Sequence, residues 1–201
     1  MADCGCGPTA VETAAQRHGL WIALWLNAAM FAVELVTGLL ANSAGLLADG
    51  LDMLTDATAY AIALAAIGRS GGFKANAATL SGALLLLVGL GMIVEVARRL
   101  VWGGDPEGSW MMAVALVALA VNIFVLRLLS RQQRDEVHIR AAWIFTRADV
   151  VANVSVIVAG LAILLTGIRY FDLVVGGAIG VYVVKEAAEI LREAKAARAN
   201  R

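Results

Sequence analysis

Cysteine, proline and histidine are nearly missing from this chain, each present twice among 201 residues. Two cysteines are too few for a disulfide-stapled scaffold. Cys4 and Cys6 stand one residue apart at the amino terminus, a spacing poor for a structural disulfide and better suited to clipping a soft metal on the reducing side of a membrane. Incidental thiols on a tail are the plain alternative. His18 and His138 fall in segments expected to be cytoplasmic and solvated, and no nucleophile stands beside a base, which argues against an enzyme. An excess of either charge is missing too. Sixteen basic and sixteen acidic residues cancel, which argues against nucleic acid as a partner. No cleavable signal precedes the first long apolar run, so the amino terminus is expected to be mature.

What is abundant is apolar length. Hydrophobic residues make up 61% of the chain, against roughly 45–50% in an average soluble domain. They fall in six runs, about 20–41, 46–68, 77–101, 109–130, 142–166 and 170–191, each near the ~20 residues that cross a bilayer as a helix. Lipid offers the backbone no hydrogen bonds, so helices are the expected spanning form. The sequence predicts an all-α membrane protein: a tail over 1–19, a six-helix transmembrane domain over 20–192 and a short tail over 193–201. Basic residues gather on the side that holds both termini and the 69–76 and 127–140 loops, including Arg69, Lys74, Arg127, Arg131 and Arg134. The opposite side has Arg98, Arg99 and Arg169 set against Asp105, Glu107 and Asp172. Both termini are therefore predicted to be cytoplasmic, in a bacterial cytoplasmic membrane.

Against this background the acids inside the runs stand out. Leu46-Leu47-Ala48-Asp49-Gly50-Leu51-Asp52-Met53-Leu54-Thr55-Asp56 places three carboxylates within one span. On a helix, spacings of three and four residues put all three on one stripe. Each costs at least ~2.5 kcal/mol in hydrocarbon, so the stripe has to line a wet cavity, carry protons or bind a cation. In span five, Asp149 and Asn153 share a face. Both stripes lie some seven to eleven residues from their ends, which brings them to the middle of the membrane if the two helices meet. Arg147, two residues from Asp149, points to another face. Glu34 in span one has no local base, which fits a proton relay or a hydrogen-bonded packing residue. Glu95 can be neutralised by Arg98 and Arg99. Asn27 and Asn122 are expected to bond between helices, and Gly82, Gly89, Gly91, Gly160, Gly176, Gly177 and Gly180 to let helices approach closely.

These residues carry a resemblance. Asn42-Ser43 followed by the Leu46–Asp56 run resembles the second-span signature of the cation diffusion facilitators, six-span proton-coupled exporters of divalent metals. Asp149-Val150-Val151-Ala152-Asn153 resembles the fifth-span signature, and Phe171-Asp172 is a weaker match at the start of span six. The resemblance implies that Asp52, Asp56 and Asp149 bind the metal. It also implies a ligand four residues before Asp149, where this chain has Phe145; a fourth donor is then Asp49, Asn153, water or nothing. Members commonly carry a cytoplasmic domain after span six, and the chain is expected to be a variant without it.

The expectation is a transporter of Zn²⁺ or a similar divalent ion such as Co²⁺, Fe²⁺, Mn²⁺ or Cd²⁺, working by alternating access. Protons and metal compete for Asp52, Asp56 and Asp149, with Glu34 as a further proton carrier. No resident cofactor is expected. The partners are the metal ion, the bilayer and a second copy of the chain docked through its spans. An oxygen-only donor set suits harder ions, whereas Cys4 and Cys6 suit a soft one. The alternative is a membrane metal sensor or scaffold of the same fold that transports nothing.

Overall fold

The computed structural model describes residues 14–65, 71–130 and 136–199; of the side chains in that range, those at 14–16, 71, 74, 129–130, 136–148 and 197 are outside the description. Cys4, Cys6, and the side chains of His138, Phe145 and Arg147 therefore lie outside it. The described residues form six helices: α1 (Ala14–Leu40), α2 (Ala44–Ala65), α3 (Gly71–Trp102), α4 (Gly108–Ser130), α5 (Glu136–Thr166) and α6 (Tyr170–Ala199). Each apolar run became one helix.

Four of these, α1, α3, α4 and α5, contain a stretch long and apolar enough to cross a membrane by composition alone. Among the described residues, α2 and α6 contain no such stretch, although six spans are expected from the sequence. The reason lies in their charges. Asp49, Asp52 and Asp56 interrupt α2, and Lys185, Glu186 and Glu189 interrupt α6. Helices like these are tolerated in hydrocarbon only when neighbours cover the charged face, and α2 is covered. It touches all five other helices, and residues 43–53 are buried without a break. By contrast, α1 and α3 leave Trp25, Leu40, Leu80, Leu87 and Val94 exposed, as lipid-facing helices do.

Hydrogen bonds show that the helices run up and down. Helix α1 is stopped by Asn42 just beyond its end, whose positive φ of 51° allows Ser43 N–H to reach back to Gly38 C=O at 2.9 Å, a left-handed stop. Ser43 then caps α2 by accepting from Leu46 N–H at 3.0 Å. Beside this turn, Arg99 near the end of α3 donates to Asn42 C=O, and Glu107 N–H, just ahead of α4, donates to Ala41 C=O at 3.0 Å. The start of α6 arrives there as well, through Asp172. The close of α1 and α3 and the opening of α2, α4 and α6 thus share one end of the bundle, here called the Ser43 end.

Close approaches fix the rest. A Cβ on Gly176 would stand 2.7 Å from the Ala44 backbone, and one on Gly160 would stand 2.8 Å from Gly108 C=O. Gly82, Gly89 and Gly180 also face neighbouring side chains at contact distance, as expected. Gly91 does not: nothing lies within 4 Å of its Cβ position, so it faces outward and packs no helix.

Candidate cation site

Asp172 sets the frame in which the acids must be read. It is buried, accepts from Ser43 Oγ–H at 2.6 Å and from the backbone N–H groups of Ala44 and Gly45 at 2.6 and 2.8 Å, and so closes the amino terminus of α2 from another helix. The residue that looked like a weak motif match at the start of span six is a strut. It fastens α6 to α2 with both helices running the same way from the Ser43 end.

Depth along α5 follows from a second contact. Val156 Cγ2 lies 3.6 Å from the position a Cβ on Gly45 would take. Helix α5 runs against α2, so the residue seven places before Val156 stands level with the residue seven places after Gly45. Those residues are Asp149 and Asp52. The two carboxyls do face each other, within hydrogen-bonding reach. Asp56, one turn farther along α2, acts on Asp149 through its charge. Among the described residues, the charged neighbours that act on Asp52 include Asp149, Asp49 and Glu186, all of them carboxylates.

Asp49 and Glu34 form a second pair. Both are fully buried, they face each other across α1 and α2, and none of their four oxygens receives a hydrogen bond. Two such groups coexist only with a proton or a cation between them. Asp49 is also within electrostatic reach of Asp52 and Asp149. Asn153, fully buried one turn from Asp149, gives its Nδ2–H to the Asp149 carbonyl at 2.9 Å, which leaves its own Oδ1 without a partner. Tyr60 stands near Asp56 and Asp149.

The acids converge without closing into a cage. Among the described residues, no three of His, Cys, Asp and Glu are grouped tightly enough to hold a metal ion. They form neighbouring pairs.

Other expectations resolve individually. Glu95 is bound by Arg98 through two hydrogen bonds of 2.7 Å and by Arg99 Nε at 2.7 Å, so it belongs to an ion-pair cluster. Asn27 does not bond between helices: its Nδ2–H goes to Ala23 C=O of its own helix at 2.9 Å, because that carbonyl is one turn away and already in place. Asn122 is buried with Nδ2 unpartnered, so its amide makes no donation between helices either. His18 is exposed.

Glu186 was missed. It lies on α6 one turn beyond Tyr182, within hydrogen-bonding reach of that phenol, and its charge acts on Asp52, Asp56 and Asp149. The one sign in the sequence was a polar pair four residues apart near the end of an apolar run.

The family profile described as the cation efflux transmembrane domain matches residues 20–197. The metal cation efflux system protein CzcD of Cupriavidus metallidurans is 30% identical over 192 residues, covering 90% of this chain and 61% of that protein. The zinc transporter ZitB of Yersinia pestis is 28% identical over 187 residues, with 87% and 60% covered. A cadmium, cobalt and zinc/H⁺–K⁺ antiporter of Bacillus velezensis is 25% identical over 175 residues, with 80% and 56% covered. The chain spans about three fifths of the length of these relatives.

Proposed function

The chain belongs to the cation diffusion facilitator family, and from that premise we propose that it exports a divalent metal cation in exchange for protons. It is a multi-pass integral protein of the inner membrane, in a family of transporters and not of enzymes. The carrying observation is the meeting of Asp52 on α2 with Asp149 on α5, deep in the bundle and surrounded by further carboxylates.

An array of this kind needs positive charge. Protons supply it when the site is empty of metal, and a divalent ion supplies it when bound, so each evicts the other. Asp52, Asp56 and Asp149 are the proposed ligands, with Asn153 Oδ1 and Asp49 as nearby donors and Glu34 sharing a proton with Asp49. Because the carboxylates stand in pairs and not in a cage, binding draws α2 and α5 together around the ion. That movement is the proposed link between occupancy and alternating access. Zinc, cobalt or cadmium is the proposed substrate, in keeping with the names of the relatives, and Mn²⁺ is a further candidate on the oxygen donors alone.

The second reading, a sensor or scaffold without transport, draws on Phe145 and on the open spacing of the acids. Vesicles reconstituted with the protein and loaded with a pH dye separate the two. Addition of Zn²⁺ or Co²⁺ is expected to release protons with wild-type protein and not with Asp56→Ala or Asp149→Ala, both remaining inserted and monodisperse. Unchanged release in either variant removes that residue from the site. No release from the wild type sinks the exchanger.

A further inference from the structure

The family pattern places a ligand four residues before Asp149, and in this chain that position holds Phe145. Continuing the register of α5 against α2 by one turn puts position 145 level with Asp56. A cation held between Asp52, Asp56 and Asp149 therefore lacks a donor on the side of Asp56. Neither Asp49 nor Asn153 repairs this, since both stand toward the Ser43 end of Asp52.

Helix α6 reaches that depth. Asp172 and Ser43 are bonded to each other, and α2 and α6 start there in the same direction. Gly176 lies against the Ala44 backbone; ten residues beyond Ala44 is Leu54, between Asp52 and Asp56, and ten beyond Gly176 is Glu186. At ~1.5 Å rise per residue the two stay level. Gly176, whose missing side chain lets the α2 backbone come close, keeps the helices together over the first turns. Val183 and Ala187, the neighbours of Glu186 on the inner face of α6, are buried. Glu186 is half-buried beside them, with Tyr182 one turn up on the same face.

We propose that Glu186 supplies the fourth donor to the cation held by Asp52, Asp56 and Asp149, taking the place that Phe145 leaves without a ligand. The inference rests on the transport reading above. Independent support for a cation in this cluster comes from its wall: Asp49, with both oxygens buried and no donor, and Asn153, whose Oδ1 is buried and unpartnered. Asp49 needs a proton shared with Glu34 or a nearby cation, and the Asn153 oxygen needs a donor or a cation; a bound divalent ion meets both needs. The consequence for specificity is chemical. Four carboxylates offer hard oxygen donors only, so Mn²⁺ and Co²⁺ gain on Zn²⁺ relative to a site that contains an imidazole.

The test is titration calorimetry of the full chain in detergent with Mn²⁺, Co²⁺ and Zn²⁺ separately. Glu186→Gln is expected to weaken binding about ten-fold or more, while Glu189→Gln, on the exposed face of the same helix, leaves it unchanged. Adding Phe145→Asp to Glu186→Gln restores a carboxylate at the same depth and is expected to recover most of the loss. A loss that Phe145→Asp leaves unrepaired makes Glu186 a source of field and not a donor, and overturns the proposal. Wild-type binding by Glu186→Gln overturns it too, provided Asp149→Asn has lost binding. Wild-type binding by Asp149→Asn overturns the site itself, and this inference with it.

Discussion

Replacing Asp172 with alanine removes three hydrogen bonds at once, and the structure sets their weight. Its carboxylate accepts from Ser43 Oγ–H, Ala44 N–H and Gly45 N–H at 2.6, 2.6 and 2.8 Å in a buried setting. Hydrogen bonds to a charged group contribute ~1.5–3 kcal/mol each, and such terms are not additive. Two backbone N–H groups left unpaired away from water add to the loss. The expected destabilisation is about 3–5 kcal/mol, the range for breaking a buried charged contact on one side. Asp172→Asn keeps one acceptor and loses the charge that faces the helix terminus, at about 1–2 kcal/mol. Ser43→Ala deletes one donor and the cap on Leu46 N–H, at about 1 kcal/mol. Unfolding in mixed dodecyl maltoside and sodium dodecyl sulfate micelles, followed by circular dichroism, measures all three. The expected order of loss is Asp172→Ala largest, Asp172→Asn next and Ser43→Ala smallest. Wild-type stability in Asp172→Ala, or a larger loss from Ser43→Ala, would refute the strut.

Helix packing and proton competition give two more tests. Gly176→Val is expected to push α6 away from α2, since even a Cβ would lie 2.7 Å from the Ala44 backbone; Gly91→Val, with nothing within 4 Å, is expected to leave stability unchanged in the same assay. Metal affinity is expected to fall as pH is lowered, by about tenfold per pH unit for each proton displaced. Calorimetry at several pH values gives that slope, and a flat profile would contradict competition at the carboxylates.

The helices were legible because their signal is length and apolarity, summed over some twenty residues each. The charge stripes of α2 and α5 were legible for the opposite reason: three acids in one apolar run, and Asp149 with Asn153 in another, have no other ready explanation. Glu95 was legible too, since a spacing of three and four residues to arginines defines its partners locally. Asn27 was not. A buried amide can bond across helices or back onto its own turn, and composition does not choose between them. Gly91 failed similarly, because a glycine on a helix surface looks the same in sequence whether a neighbour faces it or lipid does.

Asp172 and Glu186 show where sequence reading stops. In sequence Glu186 sits in Lys185-Glu186-Ala187-Ala188-Glu189, a polar stretch that reads as the helix leaving the membrane. Its depth is visible only from the other end of α6, where Asp172 ties the helix to Ser43 across 129 residues of chain. One long-range contact thus converts a position along α6 into a height beside α2. The same contact has a mechanical consequence. The bonds from the α2 backbone to α6 lie in the first turn of α2, so the two helices are fixed to each other at the Ser43 end, while the acids farther along face one another. On the exchange mechanism proposed above, a helix pinned at one end and unbalanced in charge at its middle is expected to respond to a cation by moving its far length. That mechanism predicts that the strut holds one end of α2 still while occupancy of the carboxylates governs the position of the other.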